Sequence, residues 1–114
     1  MFSVHFLTGT SAPAPTLLKG GEPISFYGLS ATNNETTTVI YLKIFNTGNT
    51  NTVPVLGTST PALTIAIPAN GIYFSQPWPL ALAGASYYAV TKLQADTDAT
   101  ALSTGGEAVT LFLE

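Results

Sequence analysis

The sequence predicts an all-β fold, a two-sheet antiparallel β-sandwich of jelly-roll-like form with about eight strands and an extended N-terminal arm, and three observations carry that expectation. Apolar residues alternate with period two in one segment after another. Those segments are rich in Thr, Val, Ile, Tyr and Phe, and Gly, Pro or Asn interrupts them about every ten residues. With 114 residues the chain forms one domain, long enough to bury roughly two thirds of its unfolded surface around a single core.

Taken in order, Phe2, Val4 and Phe6 alternate with Ser3 and His5, which marks a terminal strand. Ser11-Ala12-Pro13-Ala14-Pro15 follows; each proline biases its predecessor away from helix, so residues 1–22 are expected as a strand plus a Pro-containing arm, and 23–114 as the sandwich. Ile24 to Ala31 reads as a strand, residues 32–35 as a turn, and Thr36 to Phe45 as the longest strand, the two strands resembling a hairpin. In the second of these, Ile40, Leu42 and Ile44 share one face. Val39, Tyr41, Lys43 and Phe45 share the other, so both faces need cover.

Residues 46–51 are a turn by composition, Val53 to Leu56 is expected as a short strand, and Leu63, Ile65 and Ile67 alternate between Pro61 and Pro68. Ile72 to Phe74, Ala85 to Leu93 and Ala108 to Leu113 supply the remaining strands, the last with Val109, Leu111 and Leu113 facing inward. Residues 94–107, rich in Ala, Thr, Asp and Gly, are expected as a long loop.

Charge narrows the function. Only 8% of the residues are charged against 46% hydrophobic, where an ordinary domain carries about a quarter charged. Thr, Ser, Asn, Ala and Gly take the place of the usual ionic coat. A buried charge costs several kcal/mol unless paired, whereas a Thr hydroxyl needs one hydrogen bond. The surface is therefore suited to burial against other protein. The basic residues are Lys19, Lys43 and Lys92, scattered, and the net charge is −3, so no footprint for nucleic acid exists. The apolar stretches fall short of the ~20 residues that cross a bilayer, and the first residues lack the cationic start of an export signal. No membrane partner is expected. Cysteine is absent, which removes disulfides and thiolate chemistry.

Candidate chemical centres are weak. His5, the sole imidazole, lies in a terminal strand with no Gly-x-Ser-x-Gly turn to supply a nucleophile. Asp96 and Asp98 form an Asp-x-Asp pair with Glu107 further on, but Thr97, Ala99, Thr100 and Ala101 do not complete a calcium loop. The carboxylates Glu22, Glu35, Asp96, Asp98, Glu107 and Glu114 fall in turns, loops or the chain end rather than in apolar surroundings that tune a catalytic acid. Trp78, between Pro77 and Pro79 and near Tyr73, Phe74, Tyr87 and Tyr88, is a candidate for a sugar-stacking platform, with a core position as the plainer alternative. Asn34-Glu35-Thr36 matches a glycosylation sequon by a pattern that arises often by chance. No enzyme, metal or cofactor is expected.

Residues 27–33 (Tyr-Gly-Leu-Ser-Ala-Thr-Asn), 39–46, 54–61, 65–71 and 88–91, with the 98–100 region, resemble a small β-domain that recurs among virion proteins of tailed bacteriophages. The likeness spans about three quarters of the chain, and each motif is also one that turn chemistry favours. The resemblance implies a non-enzymatic capsid decoration, or cement, protein on the outside of the virion, made in the host cytoplasm, with the major capsid protein as partner and a homotrimer as its assembly. In that setting the N-terminal arm reaches a neighbour, and Phe2, Val4, Phe6, Tyr41, Lys43, Phe45 and Trp78 are the candidate interface residues. The alternative is a tail, fibre or neck module, with a glycan-binding role in host recognition for the first two.

Overall fold

Alternating segments become strands wherever turn residues release them, and their apolar faces meet in one core. The computed structural model of the chain describes residues 2–10, 13–33, 39–102 and 106–114. Among these, eight strands form: β1 (Phe2–Leu7), β2 (Thr16–Leu18), β3 (Ile24–Ala31), β4 (Ile40–Asn46), β5 (Leu63–Ile67), β6 (Ile72–Leu82), β7 (Ser86–Thr91) and β8 (Ala108–Leu113). They make two four-stranded antiparallel sheets, ordered β1-β8-β3-β6 and β2-β7-β4-β5. The chain passes from one sheet to the other at every connection but β4–β5. This is the strand order of a jelly roll.

The core lies between the sheets. Phe26, Leu29, Val109, Leu111 and Leu113 from the first sheet meet Ile40, Leu42, Ile44 and Ile67 from the second, all of them fully buried. Each such side chain contributes about 1.5–3 kcal/mol by leaving water. Phe6 of β1 stacks on Tyr88 of β7, centroids 4.4 Å apart, and joins the two sheets at one side.

Several expectations change. Residues 24–31 and 40–46 are not a hairpin: β3 pairs with β6 and β8, β4 with β5 and β7, in opposite sheets. Chain proximity favours a hairpin, but burial of two apolar strand faces against each other favours opposite layers. Thr36 to Thr38 of the expected long strand, and Asn34 to Thr36 of the sequon, lie outside the described residues. The longest strand is β6, with 11 residues. It runs through Pro77 and Pro79 because it is an edge strand, where a missing N–H breaks no ladder. Val53 to Leu56 is not a strand; Thr58 and Ser59 donate their N–H groups back to the Val55 carbonyl and close a local turn. The N-terminal residues are not set apart from the sandwich: β1 lies along β8 and β2 along β7, an edge of each sheet. Ser11 and Ala12 lie outside the described residues.

One irregularity shapes the surface. Phe26 pairs with Leu80 and Gly28 with Ser75, so residues 76–79 of β6 bulge opposite Tyr27 alone. Gly28 is required there, because a Cβ would stand 2.1 Å from the Phe74 carbonyl oxygen.

Candidate functional site

The two outer faces of the sandwich differ. On the β2-β7-β4-β5 sheet, the register places Tyr41 beside Thr91, Lys43 beside Ala89 and Phe45 beside Tyr87. The chain covers the middle of this face itself. Phe45, Ala85, Tyr87 and Ala89 form a second small core with Leu56 packed on it, and the Tyr87 hydroxyl donates to the Thr50 carbonyl at 3.2 Å. Lys43 is 0% exposed; its ammonium donates to the carbonyls of Ala95 at 2.7 Å and Asp98 at 3.2 Å. Burial lowers the Lys43 pKa from its ordinary value, against the opposing pull of Asp98 and Asp96.

Asp98 organises the same loop. Its carboxylate accepts from the N–H groups of Leu93 and Thr100 and from the Thr100 hydroxyl. Burial works to raise its pKa; the bonds from Thr100 and Leu93, with Lys43, outweigh that and hold it below its ordinary value. The Asp-x-Asp pair is thus half built into loop geometry, with Asp98 buried and Asp96 exposed. Among the described residues, no group of three or more His, Asp or Glu side chains is arranged to hold a metal ion.

Lys43 and Phe45 are therefore corrected as interface residues: both are buried under the protein's own loops, and Tyr41 is half-buried. Val4 and Phe6 point inward and pack against the main core, half-buried. The backbone of Phe2 pairs with Leu113, and its side chain lies outside the described part.

The outer face of the β1-β8-β3-β6 sheet is bare. Two rows cross it: Ser3, Phe112, Gly28 and Ser75, then His5, Thr110, Ser30 and Tyr73. Neither row contains a carboxylate or an ammonium group. Tyr73 is 74% exposed, and its ring lies 6.2 Å from that of the half-buried Phe112. His5 Nδ1 and Thr110 Oγ1 are 2.9 Å apart, and Leu7 is exposed at the same face. Trp78, on the bulge of β6, is 82% exposed. The expected platform around Trp78 does not assemble as a whole, because Tyr87 is buried beside Phe45, Tyr88 stacks on Phe6 and Phe74 packs against the core. Tyr73 and Trp78 remain exposed.

The other candidate centres are placed apart from one another. Glu107 is fully buried and accepts from the Thr8 hydroxyl; Glu22 lies 4.0 Å from Lys19 at the surface. Glu35 lies outside the described residues. A cleft of about 190 Å³ opens between Phe6, Thr8, Pro13, Tyr88, Val90 and Leu102, below the ~300–1,000 Å³ usual for small-molecule sites. It has no ionisable side chain on its wall except the Tyr88 phenol. Among the described residues no helix is long and apolar enough to cross a membrane. Comparison with protein families, curated proteins and solved structures finds no match. The functional reading therefore rests on the residues themselves.

Sequence reasoning did not single out Thr110 and Phe112 as surface residues, although the signal was there. If Val109, Leu111 and Leu113 face inward, the residues between them face out.

Proposed function

We propose that this protein is a non-enzymatic structural component of a virion, a capsid decoration or cement protein that binds across major capsid subunits. The observation that carries the reading is the bare outer face of the first sheet, with Tyr73 and Leu7 exposed and Phe112 half-buried among Ser and Thr, and no ionic group in its two central rows. Such a face loses little when water leaves it: its hydroxyls need single hydrogen bonds and its rings gain about 25 cal/mol per Å² buried. The middle of the opposite face, around Lys43, Phe45 and Tyr87, is already covered by the chain's own loops, so the first sheet offers the more open side to a shell. A jelly roll is common in capsid and lectin domains alike, so the fold is compatible with the reading without selecting it. The low charge and the resemblance to phage virion β-domains support it further.

The mechanism is added interface. A standard interface buries ~1,600 Å², and many copies on a symmetric shell stabilise the lattice that binds them by mass action. Co-sedimentation of the protein with expanded capsids, before and after Phe112→Lys and Tyr73→Lys, tests this. Stoichiometric binding lost in the variants is expected. Absence of binding, or only a few copies per particle, overturns it. The exposure of Trp78 favours one other reading, a glycan-binding tail or fibre module; a glycan array signal that disappears in Trp78→Ala would replace the cement reading.

A further inference from the structure

Each sheet ends in two edge strands, and three of these four carry features that hinder pairing with another chain. β6 contains two prolines and the bulge, β2 has three residues and runs into Lys19 and Gly20 at positive φ, and β5 has five residues between Pro61 and Pro68. β1 has none of these. It is six residues long, free of proline and formal charge, and in unbroken register with β8. Natural edges of this kind are usually blunted, because their free N–H and C=O groups are a template for another strand.

The ladder shows which groups are free. Thr8 donates its N–H to the Glu107 carbonyl at 3.0 Å, which sets the phase of the β1–β8 pairing. By antiparallel alternation Phe2, Val4 and Phe6 bond to β8, and Ser3, His5 and Leu7 aim their N–H and C=O groups away from the sheet. The other side of β8 agrees, since Thr32 donates to the Ala108 carbonyl at 2.9 Å and so assigns the alternate residues of β8 to β3.

We propose that a second copy of this chain pairs antiparallel with β1 about a twofold axis at His5, joining two four-stranded sheets into one. Three features select a second copy. The strand has no formal charge, so identical strands meet without like charges facing each other. A twofold axis normal to the sheet sets inward residues opposite inward ones, Val4 against the partner's Phe6, and adds cover to two half-buried side chains on an edge strand. The register centred on His5 also pairs all three outward-bonding residues, Ser3 with the partner's Leu7, His5 with the partner's His5, and Leu7 with the partner's Ser3. A register centred on Val4 pairs only two of the three within β1, Ser3 with the partner's His5 and His5 with the partner's Ser3. The dimer merges two bare outer faces into one, and it stands independently of the capsid reading.

The absence of cysteine makes the test direct, because a single introduced thiol reports one contact. Opposed residues in a hydrogen-bonded pair have Cα atoms about 5.5 Å apart, within the disulfide range of roughly 4.4–6.8 Å. His5→Cys under mild oxidation should run as a dimer on a non-reducing gel. Ser3→Cys and Leu7→Cys should not crosslink alone, but should do so when mixed. Light scattering of the unaltered protein should give twice 11.8 kDa, falling to the monomer on dilution. A monomer at every concentration, three times that mass, or crosslinking of Ser3→Cys alone as readily as His5→Cys overturns the proposal. The unaltered protein and the Ser3→Cys and Leu7→Cys mixture decide the matter even if His5→Cys fails to fold.

Discussion

The ammonium of Lys43, in the middle of a central strand, donates to the backbone carbonyl of Ala95 at 2.7 Å, and through that bond a surface loop becomes a roof over the second sheet. The charge is kept in the interior because the loop turns two carbonyls toward it and Asp98 lies nearby. Removal of the side chain leaves a void and two carbonyls without their donor. Lys43→Ala should cost about 2–4 kcal/mol, measured by urea unfolding, and hydrogen exchange at the amides of Leu93 and Thr100 should quicken.

Asp98 makes the same roof sensitive to acid. Its folded pKa lies below its ordinary value of 3.8, so its contribution is present above the unfolded value and is lost as pH falls through the folded one. Asp98→Ala should lower stability by about 2 kcal/mol at neutral pH. Melting curves of the two proteins should converge as pH is taken below 3.8, and a difference independent of pH would assign the loss to packing instead.

Gly28 allows the bulge that carries Trp78. With a Cβ 2.1 Å from the Phe74 carbonyl oxygen, Gly28→Ala must push β3 and β6 apart, and a loss of about 3 kcal/mol or more is expected. Gly48→Ala is the comparison: its φ is also positive, at 83°, but nothing lies within 4 Å of the added methyl. That change should cost about 1 kcal/mol. Thermal melts of the pair separate steric collision from backbone preference.

Trp78 is the sole tryptophan and is 82% exposed. Trp78→Ala should leave stability within about 0.5 kcal/mol of the parent. Fluorescence of the unaltered protein should be that of a water-exposed indole. If this face meets a capsid, emission should move to shorter wavelength when the protein is added to shells; unchanged emission at full occupancy would place the contact elsewhere.

Local pattern was enough to place β3, β5 and β8, whose ends in the structure match the alternation at Ile24–Ala31, Leu63–Ile67 and Ala108–Leu113. Alternation reports which side of a strand is dry, and dryness is a property of each residue and its immediate neighbours. It also marked both faces of β4 as apolar, and both are buried except at the half-buried Tyr41. The cover on the second face was not legible. Asp98 and Ala95 are 55 and 52 residues from Lys43, and nothing in their spacing announces that they meet.

Composition and periodicity thus determined the all-β class, the two-layer core and the scarcity of ionic groups, since these follow from residue chemistry summed along the chain. Tertiary structure decided which strands are neighbours, which of two apolar faces the loops cover and which sheet is left bare. Those outcomes depend on contacts between distant segments, each weak alone and selected only when the whole core closes. Lys43 and Phe45 looked like a surface in the sequence because the loops that bury them belong to another part of it.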